Sequence, residues 1–198
     1  MNKYIKGILI GLCLGDGHIN KKDNCLQITH SKKQLFYLEY INNLLSNIFN
    51  VQKHNMYHRL DSKYDEYTLV FGGRIFKTIR KMLYKNNVKY FSKKILHYLT
   101  PQAIALWIMD DGSHGVNKRN GKIISHSFHL YTYTDIEETK NIIEYFYEKY
   151  NIRLYKIKQK LKCGTRYYLK CKTREFKKLS SLVNPFILQN MKYKILND

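Results

Sequence analysis

The nine residues Leu9-Ile10-Gly11-Leu12-Cys13-Leu14-Gly15-Asp16-Gly17 decide how this chain folds. They complete an apolar segment of helical spacing that begins at Lys3, and the turn-forming pair Asp16-Gly17 ends it. Gly11 and Gly15 stand four residues apart, so they thin one side of the helix and allow a second helix to approach closely. The stretch therefore predicts a helix over residues 3–15 with a close helical partner.

A second stretch of the same kind, Ile104-Ala105-Leu106-Trp107-Ile108-Met109-Asp110-Asp111-Gly112, follows about half a chain length later. Thr100-Pro101 opens its helix with proline in the first helical position. A carboxylate at the C-terminal end of a helix is unfavourable, because the helix dipole is already negative there. Its occurrence at both Asp16 and Asp111 indicates a compensating cation, for which Mg²⁺ with a phosphate is the natural candidate. Two ordinary Asp-Gly turns that stop helices are the alternative.

The rest of the chain repeats along with these two stretches. Each half shows a helix, one or two strands, a helix, two strands and a helix, which predicts a two-fold repeat of α+β units. We place the repeats at residues 1–97 and 98–198. The predicted helices are 3–15, 33–49, 74–84, 101–111, 136–150, 173–183 and 185–192; the predicted strands are 25–30, 51–60, 66–71, 122–132 and a hairpin over 153–171.

The net charge of +20 on 198 residues points to a polyanionic partner, most often a nucleic acid. The charge divides into +11 on residues 1–99 and +9 on residues 100–198, so neither half is a detachable basic tail. Basic toxins and ribosomal proteins are equally charged, and an AT-rich genome also explains the excess of Lys over Arg. Charge alone therefore indicates the ligand class and no chemistry.

Neither a membrane nor a secretory destination is expected. No apolar run approaches the roughly 18 residues that span a bilayer, and the short apolar stretch near the N-terminus is followed by Asp16 rather than by a cleavage site of small residues. The four cysteines show no C-x-x-C pair. Buried free thiols in a reducing, intracellular compartment are the interpretation this favours.

Residues 153–172 contain the most regular charge pattern in the chain. Every even position from Lys156 to Lys162 is Lys, and Arg166, Tyr168, Lys170 and Lys172 follow at even positions after the turn. Because strand residues alternate between faces, we expect one packed face and one face that carries these cations and binds nucleic acid. A solvated charged face is the alternative. The alternation of Lys53, Asn55, Tyr57 and Arg59 suggests a similar, less regular face in the first half.

The two Asp-Gly stretches resemble the motif of the LAGLIDADG homing endonucleases, in the single-chain branch that carries two motif copies. The first copy keeps Leu9, Gly11, Leu12, Asp16 and Gly17, and the second is similar to the A-x-W-x-M-D-D-G form of intron-encoded members. The resemblance implies an α+β fold of two pseudo-symmetric LAGLIDADG repeats. Their motif helices would pack at the central interface under two saddle-shaped antiparallel sheets that ride in the DNA major groove.

The resemblance also implies a site. Asp16 and Asp111 would each bind the metal, Mg²⁺, while Asp110 would be structural. Lys89 and Lys194 match the basic residues that family members place near each metal, although Ser92 stands where relatives often have proline; two ordinary exposed lysines are the alternative. The candidate DNA contacts are Lys53, Asn55, Tyr57, Arg59, Lys118, Arg119, Lys156, Lys158, Lys160, Arg166, Tyr168 and Lys170, of which Lys118 and Arg119 fall in a predicted loop, 113–120.

The function that the resemblance implies is metal-assisted hydrolysis of two phosphodiesters, one on each DNA strand. The unlike halves predict a monomer that cuts a long, non-palindromic double-stranded target. The same fold acting as an RNA-binding intron maturase without cleavage is the alternative. A basic ribosome-associated protein or a repressor is a third interpretation, and it would leave the two aspartates without a purpose.

Overall fold

The computed structural model describes residues 2–22, 24–49, 54–60 and 63–196, with the backbone alone described for His54. Its helices are α1 (Lys3–Leu14), α2 (Leu35–Phe49), α3 (Arg74–Leu83), α4 (Lys93–Leu96), α5 (Pro101–Asp111), α6 (Ile136–Tyr150) and α7 (Thr173–Val183). Its strands are β1 (His18–Ile19), β2 (Cys25–Ser31), β3 (His54–His58), β4 (Glu66–Gly72), β5 (Tyr84–Lys85), β6 (Val88–Lys89), β7 (Gly112–Arg119), β8 (Lys122–Thr134), β9 (Tyr155–Leu161) and β10 (Gly164–Lys172).

The predicted internal repeat is present in the order of the elements. A helix, two strands, a helix, two strands and a helix run from α1 to α3 and again from α5 to α7. Each repeat forms one four-stranded antiparallel sheet, in the orders β1-β2-β4-β3 and β7-β8-β10-β9. The class and the repeat predicted from the sequence are confirmed.

By contacts the chain divides into two compact units, Asp16–Val88 and Met1–Gly15 with Lys89–Asp198. The smaller unit packs α2 on β2 and β4 of its sheet. The larger unit packs α6 and α7 on its own sheet and α1 against α5, with Trp107 fully buried. The division into repeats at residues 97 and 98 stays a prediction.

The ends of several helices follow from local capping chemistry. Thr100 accepts a hydrogen bond from the Ala103 amide at 3.2 Å and begins α5 ahead of Pro101. Asp135 and Glu138 bond each other's backbone amides at the start of α6, which is a complete capping box. Asn151 ends α6 with a φ of 52°.

Two local predictions were wrong. Residues 113–120 do not form a loop, because Gly112–Arg119 pairs along β8 as strand β7, and Lys118 and Arg119 lie at its exposed end. The expected helix over 185–192 is instead two short 3₁₀ segments, Asn184–Phe186 and Gln189–Lys194. The backbone is non-helical at Ile187 and Leu188, with ψ values of 129° and 143°, and this separates the two segments.

Two further observations concern the cysteines and the membrane. Cys13, Cys25, Cys163 and Cys171 are not joined in disulfides; Cys13 and Cys171 are buried and Cys163 is exposed. Among the described residues, no helix combines the length and the apolar character needed to cross a bilayer.

Candidate active site

Helices α1 and α5 touch along their length at glycines. A Cβ atom on Gly7 would lie 2.6 Å from the Tyr98 carbonyl oxygen, and one on Gly11 would lie 2.4 Å from that of Ala103. From Gly7 to Gly11 the contacted residue advances from Tyr98 to Ala103, so the two helices run parallel and their C-terminal ends meet. The close approach predicted from the glycine spacing is confirmed.

The third glycine of this series faces a carboxylate. A Cβ atom on Gly15 would lie 2.1 Å from Oδ2 of Asp110 and 2.6 Å from its Cβ. The Asp110 side chain therefore packs over the C-terminal end of α1, immediately before Asp16 in the chain.

Asp111 ends α5 and is held by the helix itself. Its Oδ2 accepts a hydrogen bond from the indole Nε1 of Trp107 at 3.1 Å, one helical turn earlier. Trp107 is fully buried, so the orientation of its N–H is set by the core. Sequence reasoning missed this positioning role, although a Trp four residues before an Asp on a helix is the signal for it.

The two predicted active-site lysines both contact the C-terminal ends of these helices. The Lys89 Nζ donates to the Gly15 carbonyl at 2.7 Å, and the Lys194 Nζ donates to the carbonyls of Met109 and of Asp110, the latter at 2.8 Å. Lys194 is 8% exposed, which excludes the alternative of an ordinary surface lysine for this residue. Each ammonium group thus lies against the negative end of one helix dipole.

Lys89 and Asp110 also act on the thiol of Cys13, which is fully buried. Burial raises the pKa of this thiol to about 12, the Lys89 charge opposes that rise, and the Asp110 charge adds to it. Cys13 is therefore protonated at neutral pH and serves as a small apolar side chain.

Asp16 belongs to the smaller unit, where its neighbour is a buried histidine. The Asp16 carboxylate is half exposed, and its Oδ2 lies 3.7 Å from Nδ1 of His30. His30 occupies the buried face of β2 and packs against Tyr37 with ring centroids 5.1 Å apart. The alternation along Cys25–Ser31 places His30 with Leu26 and Ile28, a signal that the sequence prediction did not use.

The predicted DNA contacts of the smaller unit share the open face of its sheet. Asn55 is paired with Val70 and Tyr57 with Thr68, and Arg59 lines the same cleft as Tyr57. Lys53 lies outside the described residues. Three further polar residues line this cleft and were not predicted from the sequence: Gln27, Thr29 and Thr68.

The β9–β10 hairpin differs from its prediction. Its two-residue turn pairs Leu161 with Gly164, so residues that share a face have opposite parity on the two strands. Lys156 is consequently opposite the buried Leu169, and Tyr168 is opposite Ile157. The expectation of one face carrying all the even-numbered cations is therefore wrong.

The open face of the larger unit's sheet is aromatic and polar, with fewer cations than expected. Tyr168 lies 5.2 Å from Tyr131 and 5.8 Å from His129 between ring centroids, with Lys170 beside His129. Partial burial and then the Lys170 charge lower the pKa of His129. Arg166, Tyr168 and Lys170 occupy this face, whereas Lys156, Lys158 and Lys160 belong to the other.

The sequence model of the LAGLIDADG DNA endonuclease family matches residues 6–179. This chain belongs to the LAGLIDADG DNA endonuclease family. The resemblance drawn from residues 9–17 and 104–112 is confirmed, and the two parallel helices with their terminal aspartates are the LAGLIDADG motif helices.

Several curated proteins match over all or nearly all of the chain. The cytochrome b mRNA maturase bI2 of Saccharomyces cerevisiae is 28% identical over 216 residues, which cover 100% of this chain and 48% of the maturase. This chain thus spans about half the length of that relative. The probable intron-encoded endonuclease 1 of Wickerhamomyces canadensis is 26% identical, covering 99% of this chain and 85% of its own.

Among solved structures, the homing endonuclease I-WcaI bound to its DNA recognition sequence is similar. The TM-score is 0.72 at 26% identity, with 100% of this chain and 88% of that chain covered. The sheets and helices described above therefore form the LAGLIDADG homing endonuclease fold.

Proposed function

We propose that this chain is a site-specific endonuclease that hydrolyses both strands of a long, non-palindromic DNA target. The observation that carries the proposal is the end of α5, where Trp107 orients the Asp111 carboxylate beside a helix terminus neutralised by Lys194. A carboxylate at the negative C-terminal end of a helix is unfavourable for stability, yet here a buried indole N–H fixes its orientation. A catalytic role explains this arrangement better than stability does.

The donor chemistry suits a hard divalent cation. Asp16 offers a half-exposed carboxylate, and Asp111 offers one with a single oxygen oriented by Trp107. Mg²⁺ prefers such oxygen donors and keeps several waters, so one aspartate from each repeat would hold it. When bound, Mg²⁺ supplies Lewis-acid activation of water and of the phosphate.

The lysines have two tasks in this proposal. Lys89 and Lys194 neutralise the carbonyl ends of α1 and α5. They therefore provide part of the positive charge that was predicted from the sequence as a bound cation. Their charges also offset the negative charge that builds on the scissile phosphates during hydrolysis. Neither lysine needs to lose a proton for either task.

The open faces of the two sheets would supply recognition. The face with Asn55, Tyr57 and Arg59 is polar, whereas that with Tyr131, Tyr168 and Lys170 is aromatic. Different side chains in the two halves would read different sequences, which is why the target is expected to lack a palindrome. The protein would act as a monomer, because both halves are in one chain.

The direct test is cleavage of the chain's own gene locus without its intron. We expect double-strand cutting at one position in Mg²⁺, no cutting in EDTA, and no cutting of a scrambled duplex. Trp107→Phe, which keeps the buried ring but removes the donor to Asp111, should cut about 10–100-fold more slowly with unchanged DNA affinity. Absence of cutting in Mg²⁺, with intact binding of the duplex, would overturn the endonuclease proposal.

An RNA-binding intron maturase is the second candidate. The observation in its favour is the full-length match to a protein named as an mRNA maturase. This role predicts binding of an intron transcript that survives Asp16→Asn and Asp111→Asn. Equal affinity for the transcript and for an unrelated RNA of the same length would argue against it.

A further inference from the structure

The helical layer of the Asp16–Val88 unit carries positive charge that the proposed DNA contacts do not use. Residues 74–88 contain five Lys and Arg and no Asp or Glu. Within this unit a pocket opens beside α3. It is lined by Lys21, Asn24, Lys77, Arg80, Lys81, Tyr84, Asn86 and Asn87.

Other cations of this unit lie in ion pairs with carboxylates. Lys32 lies 3.2 Å from Asp65, and Arg59 lies 3.5 Å from Glu66. Within the described part of the chain, Lys77 and Lys81 form no such ion pair. Like charges four residues apart on a helix repel each other, and a bound anion would relieve that repulsion.

Arg80 is held at the wall of the pocket. Its guanidinium donates to the Ile19 carbonyl and, at 3.0 Å, to Oδ1 of Asn87, and it lies 4.3 Å from the centroid of the Tyr84 ring. A guanidinium has five N–H donors, so these two bonds leave capacity for a phosphate. The pocket thus brings the fixed guanidinium of Arg80 together with the ammonium groups of Lys77 and Lys81, a combination that suits a phosphate.

Comparison with α7 shows that packing does not require these cations. The two helices align at an offset of 100 residues: Phe76 and Phe176 are both buried, and Lys77 matches Lys177. In the last turn, however, Arg80 and Lys81 correspond to Ser180 and Ser181. A helix with the same buried positions thus forms in α7 without the charges that Arg80 and Lys81 carry in α3.

The pocket lies in the helical layer and not on the open face of the sheet. Phe76 of α3 packs against Phe49 of α2 with ring centroids 6.0 Å apart, and α2 covers the buried face of the sheet. A duplex on the open face would occupy the opposite side of that sheet. A polyanion at α3 would therefore be a second nucleic-acid segment.

We propose that this pocket binds a single-stranded segment of RNA. Lys77, Lys81 and Arg80 would contact successive phosphates, and the side-chain amides of Asn86 and Asn87 can both donate to and accept from 2′-hydroxyl groups. A concave pocket suits a flexible single strand better than a rigid duplex. The assignment rests on the RNA-binding candidate function and gives it a location.

The test compares two charge-reversal variants of the full chain. Lys77→Glu/Lys81→Glu alters the pocket, and Arg174→Glu/Lys177→Glu makes the same change in charge on two exposed residues of α7. The probe is a labelled transcript of the chain's own locus, titrated over a range of salt, with thermal unfolding to confirm that both variants fold. A saturating intronless DNA duplex is added in a second series.

We expect the α3 variant to bind the transcript at least about tenfold more weakly. Its log–log salt slope should be smaller by about 1.4, the value for two lost contacts to a single strand. The α7 variant should retain affinity within about threefold, and the duplex should not displace the RNA. Cleavage of the duplex should be equal in both variants.

Three results would overturn the assignment. Equal losses in the two variants would show a general effect of net charge, and displacement by the duplex would place the RNA on the open face. Failure of the wild-type chain to prefer its transcript over an unrelated RNA would remove the RNA-binding function together with this site. The endonuclease proposal would survive all three, because cleavage is measured separately.

Discussion

The two LAGLIDADG helices share an apolar character and a closing Asp-Gly pair, but they contribute different residues to the contact between them. Aligned on Asp16 and Asp111, they place Gly11 opposite Leu106 in the alignment and Gly15 opposite Asp110. Gly11 of α1 allows the backbone of α5 to approach at Ala103, and Gly15 leaves the space that the Asp110 side chain occupies. In a fused pair of repeats, a glycine at only one of two matching positions is thus enough for the two helices to pack closely.

The largest expected effect comes from the contact at Gly11, where the neighbouring atoms belong to the backbone and not to a side chain. Gly11→Val places a side chain against the Ala103 backbone, 2.4 Å from its carbonyl oxygen at the Cβ position. Neither backbone can move without separating the helices, so we expect the free energy of unfolding to fall by about 3 kcal/mol or more. Urea denaturation measures it.

A matched control exists in the smaller unit's sheet. A Cβ on Gly72 would meet only the Cys25 sulfur at 3.6 Å, which is ordinary contact. Gly72→Ala should therefore change the unfolding free energy by less than about 1 kcal/mol. Equal effects of the two substitutions would mean that the α1–α5 contact is not as close as described.

The next prediction exchanges small and large side chains between Gly15 and Asp110. Gly15→Ala should destabilise the chain, because its Cβ would collide with the Asp110 side chain. Asp110→Gly in the same chain removes the obstacle. In a double-mutant cycle we expect a favourable coupling of about 1 kcal/mol or more. Strict additivity would show that the two side chains do not compete for one space.

A smaller effect should distinguish the two faces of the β9–β10 hairpin. Arg166→Ala/Lys170→Ala alters the open face, and Lys158→Ala/Lys160→Ala removes two charges from the other face. If the open face binds DNA, the first pair should weaken duplex binding about tenfold and the second by about threefold or less. Fluorescence anisotropy at one salt concentration measures both. A larger loss from the second pair would contradict this orientation.

The smallest effect concerns pH and a pair of histidines in the second repeat. His114 and His126 lie 2.9 Å apart between ring nitrogens on β7 and β8. Burial first, and then the His126 charge, lowers the pKa of His114, so the folded state favours its neutral form. Its stabilising contribution is therefore complete above the unfolded-state value of about 6.5 and is lost as the pH falls through the folded pKa.

We accordingly expect stability to fall between pH 7 and pH 5, and His114→Gln to flatten that dependence. Urea denaturation at several pH values checks it, with His97→Gln as the control on an exposed helix end. An unchanged slope in His114→Gln would remove this pair as the origin of the effect.

Much of the fold could be predicted because local signals agree with it. Pro101, the Asp135 cap and the apolar periodicity set the bounds of α5, α6 and α7 as observed. The spacing of Gly11 and Gly15 predicted a close helical neighbour, which is α5. The glycines that make the contact with α5 possible are also the residues from which it was predicted.

Other features depended on long-range geometry. The turn at Lys162 and Cys163 sets the hairpin register, and a two-residue loop reverses parity between the strands, so alternation within each strand could not show which cations share a face. The contacts of Lys194 with α5 join residues more than 80 positions apart. The motif resemblance pointed to that lysine, but only the fold shows that it neutralises a helix end.

The catalytic role of Asp16 and Asp111 is tested most directly by comparing DNA binding with DNA cleavage in the same variants. Asp111→Asn keeps the shape of the side chain and an oxygen that can accept from Trp107, but it removes the charge that would hold Mg²⁺. Asp16→Asn likewise keeps the shape of the side chain and removes its charge. Asp65→Asn, at an exposed ion pair with Lys32, is the control.

Single-turnover cleavage of the intronless duplex in Mg²⁺, with duplex affinity measured in EDTA, should separate the variants. We predict that Asp16→Asn and Asp111→Asn bind as tightly as the wild-type chain and cut at least about 1,000-fold more slowly, a loss of roughly 4 kcal/mol in transition-state stabilisation. Asp65→Asn should cut at the wild-type rate. Wild-type cleavage rates in both motif variants would contradict the assignment of the two aspartates to the active site.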